Sequence, residues 1–215
     1  MTSVDNHSLS LFLNPIWKSL AKHLAGECEE CERERLFSAF DFYTSEQDSV
    51  CRKCFLTSIA LQPLIRLLFS YLQVSDNTTK KLLQDLLLRK CMLGAVKGIA
   101  SFGVRNPQPT GAPITIVWNF TNRCNLNCLH CHQDSSPTAS SQELSTSQAF
   151  KVIKNLSNAG VVILTFSGGE PLLRDDIYEV IEEATREGLF CTIATNGTLL
   201  TKKVAKKLPR QGSRG

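Results

Sequence analysis

No run of the 215 residues reaches the ~18 consecutive apolar side chains that a membrane-spanning helix needs. The most apolar stretch, 59–74, is interrupted by Gln62, Pro63, Arg66 and Gln73, so no membrane span is expected. No secretory leader is expected either. The apolar patch Leu9-Ser10-Leu11-Phe12-Leu13 has no basic stretch before it and no small-residue cleavage pattern after it. Without a leader, nine cysteines do not read as a disulfide scaffold, and reduced thiols in a cytoplasmic protein are expected. Acids are absent from the last fifteen positions, where Lys202, Lys203, Lys206, Lys207, Arg210 and Arg214 give a net charge of +6, leaving −2 for the other 200 residues. No aromatic residue is interleaved with that basic tail. It reads as a solvated helix end, and no nucleic-acid partner is expected. Neither a low-complexity tract nor a repeat beyond strand–helix alternation is present.

What is there divides in two. Asn106-Pro107-Gln108-Pro109-Thr110-Gly111-Ala112-Pro113 cannot continue a helix, because three of its residues are proline. Residues 1–106 therefore form a mainly helical domain, 107–112 a linker, and 113–215 a second domain. Helices are expected upstream over 15–25, 56–74 and 79–102, the last carrying an apolar stripe of Leu82, Leu83, Leu86, Leu87, Cys91 and Leu93. Downstream, strand and helix patterns alternate, which predicts βαβ units and a parallel sheet. Buried strands are expected over 114–120, 161–166 and 190–194. Ser145 with Gln148 makes a capping box, ahead of an apolar face of Ala149, Val152, Ile153 and Leu156 that stops at Gly160. A second helix near Asp175 would bury Ile177, Val180, Ile181 and Ala184 and end at Gly188, and a basic helix starts at Thr201.

Cys124, Cys128 and Cys131 follow the first expected strand at spacings of four and three. Three thiolates cannot complete a tetrahedral metal site. They can hold three corners of an iron–sulfur cube and leave the fourth iron open to an exogenous ligand. Placement at a strand's C-terminal end is where ligand sites collect in α/β folds.

This CxxxCxxC run, with His130 before its third cysteine, resembles the cluster loop of the radical S-adenosylmethionine (radical SAM) enzymes. Gly168-Gly169-Glu170-Pro171 after the second strand and Thr195-Asn196-Gly197 after the third are similar to that family's motifs in the same order. The resemblance covers 113 to about 208. It implies a partial radical SAM (βα) barrel of three βα units, with Cys124, Cys128 and Cys131 holding a [4Fe-4S] cluster. It also implies that S-adenosylmethionine binds the open iron, with His130 near the adenine and Gly168, Gly169 and Glu170 at the methionine amino group. Thr195 and Asn196 would line the same mouth. The implied activity is an oxidoreductase-type reductive cleavage to a 5′-deoxyadenosyl radical. It would draw on a low-potential electron donor and act on a small-molecule or peptide substrate, as in peptide modification or cofactor biosynthesis. No residue is assigned as an acid, base or nucleophile, since the cofactor supplies the chemistry.

A second metal site is expected near the N-terminus. Cys28 and Cys31 precede Cys51 and Cys54 by a gap of 19 residues, a spacing used by zinc sites. Structural zinc is the first expectation; a rubredoxin-like iron, a second iron–sulfur cluster and unligated thiols are the alternatives. Cys91 and Cys191 read as buried structural thiols, and His132 as a loop residue. Only three of the family's strand–helix units are visible, and the ending Leu208-Pro209-Arg210-Gln211-Gly212-Ser213-Arg214-Gly215 has no apolar period. The chain thus reads as a C-terminally truncated core, inactive or slow by itself. The rival reading is a non-catalytic metal-binding or interaction module built around the zinc site.

Overall fold

A computed structural model describes residues 15–44, 51–131, 133–138 and 143–208. The patch Leu9 to Leu13, His132 and the end of the basic tail lie outside these. The chain forms two compact units, residues 1–112 and 113–215.

The first unit is helical: α1 (Pro15–Ala25), α2 (Arg35–Thr44), α3 (Arg52–Tyr71), α4 (Asp76–Gln84) and α5 (Leu86–Phe102). Its core gathers Leu24, Leu36, Phe40, Leu61, Phe69 and Leu83. The sequence reading has no counterpart to α2. Its run RLFSAFDFYT is rich in aromatics, which lose rotamer freedom in a helix, so burial of Leu36, Ala39, Phe40 and Tyr43 holds it. The single helix expected over 79–102 is two, because Asp85 ends α4 and caps α5, its Oδ1 accepting from Leu88 N at 2.8 Å. Buried Arg89 pairs with Asp41 and lies over the Phe40 ring.

α3 begins four residues earlier than expected, with Cys51 as its N-cap. Proline inside it, at Pro63, does not end it. At 20 residues it is long and apolar enough, by length and composition, to cross a membrane, despite the polar interruptions in its sequence. One face of it, Cys54, Ser58, Leu61, Ile65 and Phe69, is buried in the helical core, while Leu56, Leu67 and Tyr71 are exposed.

The segment 107–112 does not hang free. Gly111 N donates to Gly94 O at 2.8 Å, and a Cβ added at Gly98 would sit 2.0 Å from Pro109 O. Polar pairing and one close approach dock the proline-rich stretch onto α5.

The second unit is a three-stranded parallel sheet in the order β1 (Thr115–Thr121), β2 (Ile163–Gly168), β3 (Phe190–Ile193). The helices α6 (Thr146–Ala159) and α7 (Ile177–Arg186) connect the strands, and α8 (Lys202–Lys207) follows β3. The expected capping box at Ser145 and Gln148 is present, and Gly160 ends α6 at φ 91°. All four residues expected on the buried face of α7 are buried.

Ala149 and Ile153 of α6 and Ile177 and Val180 of α7 pack on Phe120, Leu164, Phe166 and Cys191, so both helices cover the same face of the sheet. The strands are therefore one-sided rather than wholly buried. On the other face Val117 is 64% exposed and the Thr165 and Thr192 hydroxyls pair at 2.7 Å. Between Asn119 and Thr121 the pairing of β1 with β2 slips, and the extra residue, Phe120, turns into the core.

Two glycines of α5 should respond to alanine with opposite sign. Gly94 has open space around a new Cβ, so Gly94→Ala should stabilise the fold by about 0.5–1 kcal/mol through helix propensity. Gly98→Ala must displace backbone at Pro109, and overpacking of about 1–3 kcal/mol should outweigh that gain. Urea denaturation of both variants checks the pair.

Candidate metal and cofactor sites

The cluster and cofactor residues flagged in the second unit lie at the C-terminal ends of the three parallel strands. The cysteine loop follows β1, the glycine turn follows β2, and Thr195-Asn196-Gly197 follows β3. The loop closes on itself through Cys124 N to Ser136 O at 2.8 Å and Ser136 N to Asn122 O at 3.1 Å. Within it, Cys124 is buried, while Cys128, His130 and Cys131 are exposed. Leu129 is fully exposed and Leu126 is 42% exposed, an apolar rim on a loop otherwise open to ligand. The Ser135 hydroxyl, 3.2 Å from the Cys131 sulfur, holds that thiol below its ordinary pKa, which favours the ligating thiolate.

Gly168 and Gly169 meet protein backbone. A Cβ at Gly168, where φ is 113°, would lie 2.2 Å from Thr121 O, and one at Gly169 would lie 2.2 Å from Arg123 O. The closeness serves two hydrogen bonds of 2.8 Å, Gly169 N to Thr121 O and Glu170 N to Arg123 O. These carry the β1–β2 pairing past the strand ends and stitch the glycine turn to the start of the cysteine loop.

Glu170 has no exposed surface. Its carboxylate accepts from Leu172 N at 3.0 Å, from Thr195 Oγ1 at 2.8 and 2.9 Å, and from Asn196 N at 2.8 Å. Neutral donors from two turns thus solvate a buried charge. The side chain of Asn196 continues across the mouth, with Nδ2 2.9 Å from Asn125 Oδ1 and 3.9 Å from Cys124 Sγ. Gly168, Gly169, Glu170, Thr195 and Asn196 thereby join the cysteine loop in one bonded network. His130, exposed in the loop, stands apart from it.

Sequence reasoning missed the residues that anchor this mouth from behind. Glu143 Oε1 accepts from Thr121 Oγ1 at 2.6 Å and Asn122 N at 3.0 Å. Arg174 lies 4.0 Å over the Phe120 ring and donates to Phe120 O, Leu144 O and Asp176. Burial opposes ionisation of Asp176, but the Arg174 and Thr146 hydrogen bonds prevail and hold its carboxyl below the usual range. Asn125 and Thr198, paired at 2.8 Å, were missed as well. Their only signal is that Asn125 follows Cys124 directly and Thr198 lies two residues after Asn196.

The other cysteine group stands in the helical unit. Cys28, Cys31, Cys51 and Cys54 bring their four sulfurs within 4.8 Å of one another, as ligands of one tetrahedral ion must. Among the described residues this is the one such convergent group. A tight turn carries the first pair, with Cys28 N bonded to Arg33 O and Glu32 N to Cys28 O, each at 2.8 Å. The start of α3 carries the second pair. Backbone N–H donation around Glu30, then the Cys51 thiol, pushes Cys28 down to about 6, while burial pushes Cys54 up to about 12. That lowering favours the thiolate form that a metal ligates. Cys191, expected as a structural thiol, is buried in the sheet and pushed up to about 11 by that burial. Cys91, expected likewise, is only partly buried.

Together the fold and the loop define a parallel α/β unit with a thiolate loop at the mouth of its sheet. Residues 118–214 match the family model of the Radical SAM superfamily. An "AdoMet-dependent heme synthase" of Methanosarcina barkeri is 44% identical over 103 residues, covering 48% of this chain and 30% of that protein. The same organism's "Fe-coproporphyrin III synthase" is 41% identical over 97 residues, 45% of this chain and 24% of the relative. A "PqqA peptide cyclase" of Bradyrhizobium diazoefficiens is 34% identical over 102 residues, 47% and 27% of the two chains. The chain thus spans less than a third of the length of these curated relatives.

Thr195→Val should remove the hydroxyl donor that the two oxygens of the buried carboxylate share, and cost about 1.5–3 kcal/mol of stability. Guanidinium denaturation checks it, and a loss below ~0.5 kcal/mol would mean that Glu170 does not depend on that hydroxyl.

Proposed function

We propose that the chain is part of a radical SAM enzyme in which Cys124, Cys128 and Cys131 hold a [4Fe-4S] cluster and S-adenosylmethionine binds its open iron. The observation that carries this reading is the bonded mouth, where the three-cysteine loop, the glycine turn and the Thr-Asn-Gly turn meet at one end of a parallel sheet. The donor set fits. The thiols sit on one short loop, two of them exposed and free to turn onto a cluster, and a cube spreads its thiolates wider than a single ion does. When bound, the cluster supplies the electron that splits a carbon–sulfur bond of S-adenosylmethionine into methionine and a 5′-deoxyadenosyl radical. The chain's own residues bind and orient. His130, one residue before Cys131, would contact the adenine. With the Glu170 carboxylate already occupied, the contact of that turn with the methionine amino group falls to the backbone of Gly168 and Gly169.

The substrate is a small molecule or a peptide, in line with relatives named for tetrapyrrole and for peptide chemistry. A low-potential electron donor and a reducing, cytoplasmic compartment belong to the same proposal.

The N-terminal cysteines support a second site. Four converged sulfurs, with no position left open, suit a structural zinc that ties the turn at Cys28 to the start of α3. Zinc binding should tighten as pH rises, because the Cys54 thiol at about 12 must give up its proton.

Anaerobic reconstitution with iron and sulfide should load about four irons per chain, and Cys128→Ala should lose them. Cys51→Ser should leave this iron in place and lose one zinc. Elemental analysis with the absorption spectrum reads both. Unchanged iron after replacing Cys124, Cys128 and Cys131 together would overturn the cluster reading, and an intact zinc content in Cys51→Ser would overturn the second site.

A further inference from the structure

The three thiols of the cysteine loop are not equivalent. Cys124 is 8% exposed, whereas Cys128 and Cys131 are open to solvent. Two N–H groups already face the Cys124 sulfur, Leu126 N at 3.5 Å and Asn196 Nδ2 at 3.9 Å. One ligand is therefore set by the protein before any cluster arrives.

The orientation of the Asn196 amide is fixed by its neighbours. Its Oδ1 lies 3.0 Å from Thr198 N and 2.7 Å from Thr198 Oγ1. A backbone N–H can only donate, so the oxygen must face Thr198 and the NH₂ must face Cys124. The backbone of Asn196 is held independently, its N–H donating to buried Glu170 Oε2 at 2.8 Å. Its other amide contact, 2.9 Å to Asn125 Oδ1, grips the residue next to Cys124.

We infer that Asn196 is a positioning residue for Cys124 and that its side-chain N–H donates to this sulfur, raising the reduction potential of the iron–sulfur group the loop holds. The inference rests on the cluster reading of that loop. Reduction adds negative charge, which spreads onto the thiolates, and a donor aimed at a thiolate stabilises the reduced form more than the oxidised one. Glu170 acts one step further back, as the fixed acceptor that places the Asn196 backbone. The buried glutamate of the glycine turn thus serves the geometry of the cysteine loop.

The test uses the full chain, reconstituted anaerobically, with Asn196→Leu as a variant of similar size that lacks the donor. Iron content should match that of the unaltered protein, and the midpoint potential, followed by electron paramagnetic resonance during a redox titration, should shift downward. Equal potentials in two fully iron-loaded proteins would overturn the inference and leave the cluster reading standing. No iron at the three cysteines of the unaltered chain would overturn both. If Asn196→Leu does not fold, the unaltered protein decides. Reduced protein grown on asparagine with ¹⁵N only in the side-chain amide should show a nitrogen coupling to the cluster by electron–nuclear double resonance, and its absence would overturn the inference.

Discussion

The mouth of the sheet depends on one buried charge. Glu170 has no contact with solvent, and burying an ionised carboxylate is tolerated only when hydrogen bonds replace its water. Its donors come from its own turn, at Leu172, and from the turn after β3, at Thr195 and Asn196. The charge therefore holds two strand ends together. It also passes the constraint on, because Asn196 is the residue that reaches the cysteine loop. The two glycines before it add the third strand end, since only residues without Cβ let this turn approach Thr121 and Arg123 closely enough to bond them.

The two cysteine groups illustrate two ways of preparing for metal. In the helical unit four sulfurs converge, and their protonation is spread, with Cys28 low and Cys54 high. A single ion that bonds all four replaces thiol–thiol crowding with metal–thiolate bonds, and its binding energy becomes folding energy for the turn and helix that carry them. In the sheet unit one cysteine is set and two are exposed. That suits a larger group with a position to spare, because the exposed ligands are accessible to it while the buried one keeps the loop in register.

Similarity to the Radical SAM superfamily is legible twice, in the matched residues 118–214 and in the order of loop and turns along the strand ends. The relatives align with this chain over 103, 97 and 102 residues, while their names span tetrapyrrole and peptide chemistry. The shared segment is thus compatible with several substrates. The hydrogen-bond network around Glu170 reaches the cysteine loop.

Local chemistry was readable from the chain itself. The period of Ile177, Val180, Ile181 and Ala184, the capping box at Ser145 and the stop at Gly160 depend on neighbours within a turn or two, so they appear in the linear sequence and again in the fold. The cysteine spacings were readable for the same reason. The one-sided burial of β1 was not, because apolar residues such as Val117 look like core until it is known that α6 and α7 lie on the same face. Nor was α2, whose aromatics form a helix only against the rest of the helical core. The sequence by itself determined which thiols, glycines and turns exist and in what strand order. Only the tertiary structure decided what Glu170 touches, that Asn196 faces Cys124 and that 107–112 docks on α5, because each is a contact between residues far apart in the chain, and propensity and periodicity carry no information about such contacts.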